Sequence, residues 1–119
     1  MTLTSSVPVL RVSDYARARD FWCGALEFEI VEEAGEPETG FGILRRDSAQ
    51  VFLTAWDGPE APHEGWRAYF HTDALDDLAA KLRKDGHAFR GPTHTNYGMR
   101  EVEVTDPDGN VVCFGQDAP

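Results

Sequence analysis

Cysteine is scarce in this chain: two among 119 residues, Cys23 and Cys113, with no CxxC pairing. A disulfide framework or a zinc ribbon needs more thiols at closer spacing, so both read as half-buried side chains. Neither has a neighbouring base or an electropositive setting in sequence to make it a nucleophile. Positive charge is also short. Eleven Lys and Arg stand against 21 Asp and Glu, a formal charge of −10 with a pI near 4.6. Such a surface repels phosphates and disfavours nucleic-acid binding, while the same field concentrates cationic small molecules. Long hydrophobic runs are missing, and no stretch approaches the roughly 18 apolar residues a membrane helix needs. The opening MTLTSSVPVL lacks a basic region and a long apolar core, so no signal peptide is expected. These absences lead to the expectation of a soluble cytoplasmic domain with no nucleic-acid and no membrane partner.

What is present is a single domain's worth of patterned chain, with aromatic and β-branched residues spread throughout. Two helices are predicted. One follows Asp14, with Tyr15, Ala18, Phe21, Trp22 and Ala25 at helical spacing. The other follows Asp73, with Leu75, Leu78, Ala79 and Leu82 as its stripe, acids in the first turn, bases in the last and Gly86 at its end. Strands are expected at 7–12, 28–32, 41–45, 50–55, 67–72, 88–90, 100–105 and 111–115. Residues 100–104 read Arg-Glu-Val-Glu-Val, a strict period of two that gives the strand one polar face. Asp106-Pro107-Asp108-Gly109-Asn110 reads as a hairpin turn, and Pro8 marks an edge strand. A Gly-, Pro- and acid-rich linker at 57–65 divides the chain nearly in half.

The halves repeat each other. Asp14 and Asp73 stand 59 residues apart, as do Glu27 and Gly86, and Phe41 and Arg100. Each half reads strand, helix, strand, strand, strand. The expected fold is α+β: two βαβββ modules, about 1–56 and 66–119, in one domain 1–119, forming a curved mixed sheet around a cleft with helices outside. Concave sites of that kind bind small ligands.

Several segments resemble one superfamily. Ser6-Val7-Pro8-Val9-Leu10, Asp20-Phe21-Trp22 and Leu26-Glu27-Phe28 are similar to the opening of the vicinal oxygen chelate superfamily, which holds glyoxalases, bleomycin resistance proteins and dioxygenases. Gly42-Ile43-Leu44-Arg45-Arg46 resembles its third strand. Gly98-Met99-Arg100-Glu101 followed by Thr105-Asp106-Pro107-Asp108-Gly109-Asn110 resembles its C-terminal signature. The likeness spans nearly the whole chain and is nearest to the bleomycin resistance proteins, which are small, acidic and paired.

The resemblance implies a metal position on the first, fifth and eighth strands of the superfamily's enzymes. Here those positions carry Val7 or a neighbour, Arg67 and Cys113. Val has no donor atom, Arg has no lone pair, and one Cys is too little for a divalent site. Only His71 stands close to the second position. No metal, no cofactor and no catalytic residue are therefore expected. The resemblance implies instead a groove at a homodimer interface, with an exchanged N-terminal strand, in which a flat ligand lies between aromatic rings. By motif position Phe41 and Tyr97 match that sandwich, with Tyr97 where the family usually carries Trp. Trp56, Trp66, Gly98 and Arg100 join them as expected ligand contacts. Glu32, Glu38 and Asp57, within a wider acid set of Glu33, Glu36, Glu60 and Glu64, would draw in a cation.

Plainer readings stand beside these. Phe21 and Trp22 read as core, Phe41 reads as core or contact, and the acids of 27–38 read as a solvated face. The expected function is sequestration of a cationic bleomycin-type glycopeptide without chemical change. The alternatives are a metal-dependent lyase, isomerase or dioxygenase of the same superfamily, and a binding protein for another small natural product.

Overall fold

The computed structural model describes residues 1–57 and 65–119. Residues 58–64 of the linker, with Glu60, His63 and Glu64, lie outside them. The chain forms two compact units, Met1–Glu60 and Ala61–Pro119. Each is a four-stranded mixed sheet with one helix, and the α+β reading with two βαβββ modules holds.

Unit 1 contains β1 (Val9–Val12), α1 (Tyr15–Gly24), β2 (Glu29–Ala34), β3 (Phe41–Arg46) and β4 (Ala49–Ala55). The sheet order is β1-β4-β3-β2, with β1 parallel to β4 and the other pairs antiparallel. Pro8 precedes an edge strand, where its missing N–H costs no ladder bond. Asp14 caps α1 by accepting from the Arg17 N–H at 3.0 Å. Most of the predicted stripe is buried: Tyr15, Ala18, Trp22 and Ala25 join Leu10, Val12, Leu44, Val51 and Leu53 in the core, whereas Phe21, expected there too, is only half-buried. Trp22 meets Phe28 edge to face at 5.0 Å.

Unit 2 contains β5 (Ala68–His71), α2 (Leu75–Lys84), β6 (Phe89–His94), β7 (Met99–Thr105) and β8 (Val111–Asp117). Its order is β5-β8-β7-β6, with β5 parallel to β8. Leu75, Leu78, Ala79 and Leu82 are buried together with Val102, Val104 and Val112. The repeat extends to the backbone, since Glu27 and Gly86, which follow the two helices, both take left-handed conformations (φ 58° and 77°).

Most strand ends shift by one or two residues, as where β1 starts at Val9 rather than at 7 and β8 runs to Asp117, and the larger departures are at α2 and β6. The N-cap of α2 is Ala74 rather than Asp73, and its side chain makes no cap bond. The first helical N–H, of Leu75, instead donates to Gln116 Oε1 of β8 at 2.9 Å. β6 runs to His94, well past the expected 88–90, because a register shift between Arg90 and Thr93 absorbs Pro92 without ending the strand.

Candidate functional site

In unit 2 the alternation along β7 sends Val102 and Val104 into the core and Glu101 and Glu103 to the other face. Register places Gly115 and Thr93 beside Glu101, and Cys113 and Arg90 beside Glu103. The parallel pairing adds Tyr69 opposite Cys113 and His71 opposite Gly115.

Gly115 lets these groups meet. A Cβ there would collide with the phenol oxygen of Tyr69, so the absence of a side chain allows Tyr69 to lie across β8. Its hydroxyl thereby reaches β7 and donates to Glu101 Oε2 at 2.9 Å. Tyr97 Oη donates to the same oxygen at 2.6 Å. Trp66 Nε1–H donates to Glu103 Oε1 at 3.0 Å, and Arg90 faces Glu103 Oε2 at 3.7 Å. Trp66 and Tyr69 have ring centroids 5.3 Å apart, and Tyr69 and His71 5.2 Å.

Glu101 is 7% exposed, whereas Trp66 and Tyr97 are 43% and 59% exposed. The result is a buried carboxylate rimmed by aromatic rings that reach solvent. The hydrogen bond to Glu101 pushes the Tyr97 phenol up to about 12, with desolvation and the Glu101 charge adding. Burial, then Glu101, raises Tyr69 as well. Cys113 is pushed up to about 12 by burial, with Glu101 and Glu103 contributing. At neutral pH both phenols are therefore protonated donors and Cys113 is a neutral, unreactive thiol.

Trp66 and Tyr97 are thus brought to one face. Gly98 shapes the turn that carries Tyr97, at φ +83° with open space around it, while Thr95 Oγ1 accepts from the Met99 N–H at 3.0 Å to close that turn. Arg100 falls on the opposite face of β7 and makes a two-pronged pair with Asp76 of α2 at 2.9 and 3.2 Å. That pairing holds the Asp76 carboxyl below its usual range. Tyr69, Glu101 and Glu103 were not singled out as site residues by sequence. The period of two in 100–104 was the signal for the two carboxylates, but nothing local indicates that Tyr69 crosses β8.

In unit 1 the face turned away from α1 carries the other expected contacts. Phe41 pairs with Thr54, Ile43 with Phe52, and Glu32 with Ile43, so these side chains share it with Val9 and Arg11 of β1. Trp56, just after β4, is stacked by the Arg11 guanidinium at 4.1 Å from its centroid. Phe41 and Trp56 are 39% and 45% exposed. Asp57 is exposed beyond Trp56. Glu38 lies in the exposed turn before β3, where its carbonyl accepts from the Tyr15 N–H at 3.1 Å. On the opposite face Tyr15 passes over Gly42 and donates to Glu33 Oε2 at 2.7 Å.

The residues at the superfamily's metal positions do not fit a divalent ion. The resemblance puts those positions at Val7 or a neighbour, Arg67 and Cys113; Val7 has no donor atom, Arg67 has no lone pair, and Cys113 alone is too few ligands. Among the described residues no group of three His, Cys, Asp or Glu side chains is arranged as a ligand set.

Comparison with solved structures returns the same architecture repeatedly. The antibiotic binding protein TnmS3 from a Streptomyces species is 26% identical, with 99% of this chain and 100% of that one covered at a TM-score of 0.76. A bleomycin resistance determinant encoded on transposon Tn5 is 21% identical, covering 97% and 98% at a TM-score of 0.79. A bleomycin-binding protein complexed with bleomycin is 19% identical, covering 97% and 99% at a TM-score of 0.80. A search of curated proteins finds no match. The profile of the Glyoxalase/Bleomycin resistance protein/Dioxygenase superfamily matches residues 5–114. With both βαβββ modules present and the profile spanning nearly all of the sequence, the chain belongs to that superfamily.

Proposed function

We propose that this protein is a binder that sequesters a cationic, flat antibiotic of the bleomycin type and releases it chemically unchanged. The observation that carries this reading is the unit 2 face, where Trp66, Tyr69 and Tyr97 surround Glu101 and Glu103. Aromatic rings that reach solvent offer stacking surfaces, and anions beside them favour a cation. The formal charge of −10 adds long-range attraction for such a ligand. The antibiotic-binding relatives lend the ligand class.

In this reading Trp66 and Tyr97 contact the ligand, and Gly98 sets the turn that presents Tyr97. Phe41 and Trp56 supply a second stacking surface, while Glu32, Glu38 and Asp57 add negative potential. Arg100 acts by holding α2 against β7 through Asp76. The working form is a cytoplasmic homodimer with exchanged N-terminal strands. Supporting that form, Leu3 is exposed ahead of β1, and Ile30 and Val31 are exposed on the edge strand β2.

Equilibrium titration with bleomycin tests the reading. The wild type is expected to saturate near one drug per chain, and mass spectrometry is expected to recover the drug intact. Trp66→Ala and Tyr97→Ala are each expected to weaken binding about tenfold, or about 1.4 kcal/mol. A modified drug, or affinity unchanged in the double variant, contradicts the proposal.

A further inference from the structure

We infer that Glu101 makes the unit 2 site selective for a cation bearing N–H donors, such as a primary ammonium, over a quaternary ammonium of similar size. The inference rests on the binding reading above and specifies the group the ligand must present. Both phenols donate to one carboxylate oxygen, Glu101 Oε2. Among the described residues no hydrogen bond reaches Oε1, although Glu101 is 7% exposed. Oε1 is not among the side-chain atoms sealed from solvent without a partner, so it stands at the mouth of the site as an anionic acceptor that a ligand's N–H donor can reach.

Rings alone do not discriminate between these cations. Trp66 and Tyr69 attract a positive charge through their π faces whether or not it carries N–H groups. A carboxylate oxygen does discriminate, because only an N–H donor makes a short charge-assisted bond to it. Glu103 is a weaker candidate for this role, since Trp66 and Arg90 already engage both of its oxygens. Tyr69 and Tyr97 are positioning residues: by holding Oε2 from two sides they fix the carboxylate and leave Oε1 for the ligand.

Benzylamine and benzyltrimethylammonium form a matched pair of probes, both flat and cationic, with and without N–H donors. Their binding is followed on the full chain by the NMR shift of the Trp66 indole N–H. Benzylamine is expected to bind about tenfold or more tightly than its quaternary counterpart. Glu101→Gln is expected to erase that preference, whereas Glu103→Gln keeps it, with circular dichroism checking that both variants fold. Tyr69→Phe is expected to reduce it. Equal affinities in the wild type, a preference that survives Glu101→Gln, or no response of Trp66 to benzylamine overturns the inference. Bleomycin titrated into the same samples separates the two ideas. Drug binding without an amine preference removes the selectivity alone, while an amine preference without drug binding supports the selectivity and removes the sequestration reading.

Discussion

At position 115 the absence of one methyl group decides where Tyr69 goes. Gly115→Ala drives a Cβ into the Tyr69 hydroxyl and removes its reach to Glu101. Overpacking of this kind costs about 1–3 kcal/mol, which urea unfolding would register, and the Trp66 emission should shift as its ring partner moves. Unit 1 uses the same device at Gly42 beneath Tyr15, so Gly42→Ala should show a comparable loss without disturbing Trp66. The phenols give a second test. Tyr97 sits at about 12 in the folded protein against an ordinary value of 10.0. Its bond to Glu101 therefore contributes stability in full below pH 10, and that contribution is lost as pH rises through about 12. Ultraviolet titration should find this phenol ionising late, and Glu101→Gln should return it toward the ordinary value. Ionisation near 10 in the wild type would remove the proposed hydrogen bond.

At the scale of elements, the turn between β7 and β8 is closed by two backbone bonds, Asp106 N–H to the Asn110 carbonyl and Gly109 N–H to the Asp106 carbonyl, and braced by one side chain. Asp106 Oδ1 accepts from the N–H groups of Asp108 and Asn110 at 2.9 and 2.8 Å, and Oδ2 accepts from Asn110 Nδ2 at 3.0 Å. Asp106→Ala leaves buried donors unanswered and should cost about 1–3 kcal/mol in denaturant unfolding. A change below a few tenths would show that the turn stands without it. This turn was legible in sequence because Asp, Pro and Gly act on their own neighbours. Both helical stripes were legible for the same reason, and so was the polar face of β7. What escaped the sequence depends on distant partners. The start of α2 is set by Gln116, 41 residues away, rather than by a local cap. β6 reads short because Pro92 resembles a strand end until its register against β7 is known. The Tyr69–Glu101 contact needs the β5–β8 pairing and Gly115 together, so neither residue carries the signal alone. Tyr97 was expected from its motif position and Trp66 from the groove that the resemblance implies, while their carboxylate partners follow only from the sheet.

For the whole molecule, the proposed function turns on its charge and on the proposed pairing of two chains. A net charge of −10 steers a cation from a distance, and that steering fades as the screening length falls from about 10 Å at 0.1 M salt to about 3 Å at 1 M. Sedimentation equilibrium should report a dimer, whereas a monomer at all concentrations would remove the proposed exchange of N-terminal strands. The central claim is reversible capture of a flat cation, and calorimetric titration of the metal-free protein with bleomycin at low and high salt tests it most directly. The account predicts saturable binding near one drug per chain that weakens as salt rises. No heat at either salt concentration, or an affinity indifferent to salt, would contradict it.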